Sequence, residues 1–119
     1  MIIDINLLLR YILNDIPDQA MKAATIIAGG AEVYPEIIPE AVYVLSKIYG
    51  INRKDIADHL ILALEDISTE RSEQHKEALR IYSKTKFDYI DCLLLAGLKI
   101  DGNDFMSFDK KLMNKKKSI

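Results

Sequence analysis

The chain has 119 residues, half of them apolar, with a formal net charge of −2, two histidines and one cysteine. That length fits one self-supporting domain, and the composition excludes a disordered chain and a disulfide scaffold. The last ten residues hold five lysines and no acid, which leaves residues 1–109 at −7 and argues against charge-driven nucleic-acid binding by the whole surface. No apolar run reaches about 18 residues and no leader pattern opens the chain, so a soluble cytoplasmic protein without a membrane segment is expected.

Met1-Ile2-Ile3 is apolar without alternation, as in a strand buried on both faces. Asp4 ends it, Asn6 follows, and Leu7, Leu8, Leu9, Ile12 and Leu13 recur at helical spacing. Asp4 is either a turn acid or a carboxylate at a strand end with a partner to hold. Asn6 suits a helix cap. Asn14 to Pro17 breaks the helix. A second helix carries Ala20, Ala23, Ala24, Ile27 and Ala28 inward and stops at Gly29-Gly30.

Glu32-Val33-Tyr34 predicts a short strand. Pro35 to Pro39 leads into a third helix with Ala41, Val44, Leu45 and Ile48 as its buried stripe. Asn52 caps a fourth helix, with Asp55 at its third position. Ile67 to Thr69 predicts another brief strand. Residues 71–84 form an amphipathic helix with Ala78, Leu79 and Tyr82 inward, and Tyr89–Ile100 a central helix, with Cys92 a buried, inert thiol. Phe105 to Phe108 predicts a strand ending at Asp109, before a basic helix in the tail at 110–119. His59 and His75 are expected at the surface. Alternating strands and helices predict an α/β chain: a parallel sheet with helices on both faces, in one domain over 1–119.

Four acids stand apart. Asp4 and Asp109 end strands, while Glu40 and Asp91 lie in helix first turns beside apolar residues, and in a parallel layout all four converge on one rim. Carboxylates that close need cations, and Mg²⁺ with several waters and a substrate phosphate suits such a set. Each acid also has a plainer role: the helix dipole favours Glu40 and Asp91, Asp88 and Asp91 fit a reciprocal cap, with Asp88 mainly that cap and secondarily a supporting residue facing the metal site, and Asp109 can cap the last helix.

Several motifs, in order, resemble a PIN domain of the VapC toxin type. Ile3-Asp4-Ile5-Asn6-Leu-Leu-Leu-Arg10-Tyr11 resembles the family's opening motif; Ile38-Pro-Glu40-Ala resembles its second acidic motif. Asp88-Tyr-Ile-Asp91 opens a stretch similar to its third, and Ser107-Phe-Asp109-Lys110 resembles its end. The resemblance implies a three-layer α/β/α fold with a central, mostly parallel sheet. It implies an endoribonuclease using Mg²⁺ or Mn²⁺, often a homodimer, held inactive by an antitoxin. Asp4, Glu40, Asp91 and Asp109 would bind metal and activate water. Asn6 would orient Asp4 or substrate, Ser107 would support the pocket, and Arg10 would pair with an acid. Ile5 departs from the family's small polar residue at that place, and the chain ends soon after Asp109. A non-catalytic binding module on the same scaffold is the rival reading. A phosphoacceptor receiver domain lacks its central-strand Asp and its later Lys here.

Overall fold

The computed structural model describes residues 1–119. Seven helices make up most of it: α1 Ile5–Leu13, α2 Pro17–Ala28, α3 Ile37–Lys47, α4 Arg53–Asp66, α5 Ser72–Lys84, α6 Tyr89–Asp101 and α7 Lys110–Lys116. Two strands of two residues each, β1 Ala31–Glu32 and β2 Ile67–Ser68, pair in parallel.

Local chemistry accounts for most helix ends. Asp4 Oδ1 accepts from the Leu7 amide at 2.9 Å, so Asp4, not Asn6, caps α1. Asn14 closes that helix in the left-handed region, at φ 50°. Pro17 occupies the first position of α2, where its missing N–H costs nothing. Asn52 Oδ1 accepts from the Asp55 amide at 2.9 Å while its Nδ2 donates to Asp55 Oδ2 at 3.0 Å, a reciprocal cap. Gly102, at φ 68°, closes α6.

The helices pack on one another. α5 lies between α4 and α6, and α1 lies against α2. Leu45, Ile56, Leu60, Ala78, Leu79, Cys92 and Leu95 are fully buried in one continuous core. Lys76 of α5 is buried along its stem and reaches Glu65 of α4 at 3.2 Å.

This overturns the expected three-layer α/β/α fold and with it the PIN resemblance. The observed sheet is two strands, extended by a single bridge between Ile2 and Glu32. The opening apolar run is too short to pair further, because the chain turns helical at Ile5. Phe105–Phe108 forms no strand at all. Parallel strands stabilise each other only through repeated ladder bonds, and two-residue strands offer few. Helix-to-helix burial carries the fold instead.

The third helix is also rotated from its expected orientation. Its buried residues are Ile38, Ala41, Val42 and Leu45, while Ile48 is 70% exposed. Glu40, Val44 and Ile48 lie four residues apart on one side, so turning Ile48 outward carries Glu40 outward with it. No helix is long and apolar enough to cross a membrane.

Candidate functional site

Three acids do come together, though not the expected four. A recess of about 350 Å³ is walled by Lys86, Phe87, Asp88, Asp91, Asp109 and Lys111. The loop before α6 supplies Lys86 and Phe87, the start of α6 supplies Asp88 and Asp91, and the start of α7 supplies Asp109 and Lys111. Asp4 and Glu40 form none of its walls. Asp4 is occupied capping α1. Glu40 is exposed on the outer side of α3. Asn6 is likewise exposed, within α1.

The three acids are held differently. Asp109 Oδ1 accepts from the Leu112 amide at 3.1 Å, capping α7, and the Asp109 amide donates to Ser107 Oγ at 3.0 Å. Asp88 stands at the N-cap position of α6 but makes no capping bond, so the reciprocal cap with Asp91 is not formed. Asp91 is partly buried. Burial first, then the charges of Asp88 and Asp109, push its carboxyl above the ordinary range. Neither Lys86 nor Lys111 enters an ion pair.

The donor set defines what a cation would meet here. No group of three or more acid, histidine or cysteine side chains is arranged to hold a metal ion by itself. Mg²⁺ is commonly held by one or two carboxylates, with water and substrate phosphate completing its shell. Asp88 and Asp91, both at the start of α6, are the two carboxylates that such an arrangement would use.

A second hollow, of about 250 Å³, adjoins the first through Asp88. Pro39, Val42, Tyr43, Tyr82, Tyr89 and Ile90 line much of it. Arg53 braces its floor. Its guanidinium lies 3.6 Å from the centre of the Tyr82 ring, donates from Nε to the Tyr82 carbonyl at 2.8 Å, and donates to the Phe87 carbonyl. That second bond ties the loop beneath Asp88 to α4.

His75 is 5% exposed, against the expectation of a surface histidine; His59 is exposed. His75 lies on the inner side of α5 with Ala78, Leu79 and Tyr82, a position that helical spacing alone would reveal. Cys92 is buried, and burial raises its thiol to about 11, so it is no nucleophile at neutral pH. Arg10 pairs with Asp15 at 2.9 Å and donates to the Tyr49 hydroxyl at 3.0 Å, an anchor for the end of α3. Lys86 carries no specific signal in the sequence, being a lysine beside a turn, and Lys111 is marked there only as one of the basic tail.

No protein-family model, curated protein or solved structure matches the chain.

Proposed function

We propose that this chain hydrolyses RNA phosphodiester bonds with Mg²⁺ or Mn²⁺ as cofactor, at the recess formed by Asp88, Asp91 and Asp109. One observation supports the reading above others: Asp91 is held partly buried beside two further carboxylates, and both raise its pKa. Such crowding leaves negative charge that a cation relieves. A bound divalent ion supplies an acidified water and neutralises charge on the phosphodiester. The chain's own part is positioning. The first turn of α6 presents Asp88 and Asp91. The cap bond to Leu112 and the Ser107 contact fix Asp109. Lys86 and Lys111 offer charge to the phosphates on either side. An antitoxin partner and a homodimer had only the family resemblance behind them and form no part of this reading.

The test is cleavage of single-stranded RNA by purified protein with Mn²⁺ or Mg²⁺. Wild type is expected to cut, to stop cutting in EDTA, and to lose activity in Asp91→Asn with helicity unchanged. Asp4→Ala is expected to lower stability by about 1 kcal/mol, the usual cost of a lost cap, and to keep cutting. Equal cleavage by Asp91→Asn, or none by wild type with either ion, overturns the proposal.

A non-catalytic binding module is the second reading. It draws on the hollow beside α3, where Tyr43 and Ile90 are 61% and 55% exposed. Calorimetric titration with Mn²⁺ separates the two, since a purely binding module has no need of the ion.

A further inference from the structure

We propose that a second copy of this chain covers the hollow between α3 and α6, in a two-fold dimer centred on Tyr43, Ile90 and Leu94. The proposal does not draw on the nuclease reading. It stands on apolar surface that the chain's own helices leave bare.

α6 is apolar almost all round: from Tyr89 to Ile100 only Asp91 and Lys99 carry charge. A helix of that kind is ordinarily enclosed on every side. Here α5 packs along it, α3 meets it briefly, and Cys92, Leu95 and Ala96 are fully buried. The remaining side stays open. Ile90 and Leu94, one turn apart, are 55% and 38% exposed. Across the hollow, Tyr43 of α3 is 61% exposed. Tyr43 and Ile90 are walls of one hollow, with Pro39 and Val42 beside them, so the fold itself brings the exposed side chains together.

The molecule as a whole is short of burial. It exposes 7291 Å². A compact monomer of its mass, 13.5 kDa, exposes about 6,500 Å². The excess, about 800 Å², matches the share that each partner covers in an interface of standard size. The extents of 46 × 28 × 17 Å describe a slab, a shape with little interior for its surface.

A two-fold contact places the same patch on both sides, so the patch must complement itself. This one does. Tyr43 and Lys47 come from α3, Asp88 and Ile90 from the start of α6, and all four line the hollow. A two-fold axis through the hollow sets Tyr43 of each copy opposite Ile90 of the other, and Lys47 opposite Asp88. Neither Lys47 nor Asp88 enters an ion pair within the chain. A wholly apolar partner would leave both charges unanswered, whereas a second copy answers each with the other.

The experiment is analytical ultracentrifugation of the full chain from micromolar to near-millimolar concentration. Wild type is expected to sediment as a dimer, at twice the chain mass. Ile90→Glu and Tyr43→Glu are each expected to weaken the dimer about tenfold or more. Helicity is expected to stay unchanged in both, since both positions are exposed in the single chain. Leu62→Glu, at a residue 65% exposed but outside the hollow, is expected to leave the dimer intact. Lys47→Asp is expected to weaken it at low salt, and Lys47→Asp together with Asp88→Lys to restore it. A monomeric wild type overturns the proposal and leaves the hollow to a different protein. A dimer indifferent to Ile90→Glu and Tyr43→Glu, or one that Leu62→Glu breaks, overturns it by placing the contact elsewhere. A charge swap that fails to restore association overturns the two-fold arrangement.

Discussion

His75 Nδ1 and the Tyr89 hydroxyl stand 2.7 Å apart in the seam between α5 and α6. The two rings stack at 5.9 Å, Tyr82 meets Tyr89 edge-on at 6.2 Å, and Arg53 lies over Tyr82. Burial drives both ionisable partners toward neutrality, lowering the pKa of His75 and raising that of Tyr89. The phenol therefore keeps its proton and the imidazole stays neutral; the hydroxyl meets Nδ1 and also donates to the His75 carbonyl at 3.4 Å. This aromatic chain links the core to the hollow beside Asp88.

Removing the hydroxyl leaves the buried Nδ1 of His75 without its partner. Tyr89→Phe is expected to cost about 1–3 kcal/mol at neutral pH, the usual price of an unsatisfied buried group. The shift in the urea midpoint measures it, and an unchanged midpoint shows the contact to be incidental.

The same histidine sets an acid limit. Its folded pKa lies below the unfolded value of 6.5, so below that pH the unfolded chain binds the proton more readily. The contribution is whole above about pH 6.5 and is lost as pH falls through the folded pKa. Stability is expected to decline below pH 6.5, with a shallower decline in His75→Gln. Identical pH profiles for the two proteins refute the assignment.

Arg53 is not replaceable by lysine. One guanidinium donates to two carbonyls, of Tyr82 and Phe87, and stacks on a ring. A lysine offers a point charge without the planar fork. Arg53→Lys is expected to destabilise by roughly 1.5–3 kcal/mol, the range for hydrogen bonds to a charged group. It is also expected to loosen the loop at Phe87, seen as faster amide exchange at residues 86–88. A wild-type exchange pattern there contradicts the brace.

The Asp91 carboxyl answers to its surroundings in the recess. Asp91 is raised by burial and then by Asp88 and Asp109. In Asp88→Asn the Asp91 carboxyl is expected to titrate at lower pH than in wild type, read from its carboxyl ¹³C shift. Asp4→Asn serves as the control and leaves that titration where it was. Movement in the control alone would place the acids differently.

Local signals were read well where they are complete in themselves. The stop at Gly29-Gly30, the cap of Asn52 with Asp55, and the inward Ala78, Leu79 and Tyr82 all stand as expected. The short strands at β1 and β2 also form, within a residue or two. The site was legible in part. Asp91 and Asp109 share a recess, and Asp88, first read mainly as a cap, joins them.

The rest depended on partners that a linear pattern does not name. Helical period shows that α3 has an apolar side, but Val44 and Ile48 compete with Ile38 and Val42 for it; packing buried the latter pair, left Val44 at the core's edge and put Ile48 in solvent. That choice sent Glu40 outward. A strand at Phe105–Phe108 needed a neighbouring ladder and found none, so Phe108 stands in solvent. The amino-acid sequence by itself determined the helices, the stop of α2 and the cap of α4, because those rest on bonds a few residues long. Tertiary structure alone decided the size of the sheet, the burial of His75 and the grouping of the acids, because each is set by contacts between segments far apart in the chain.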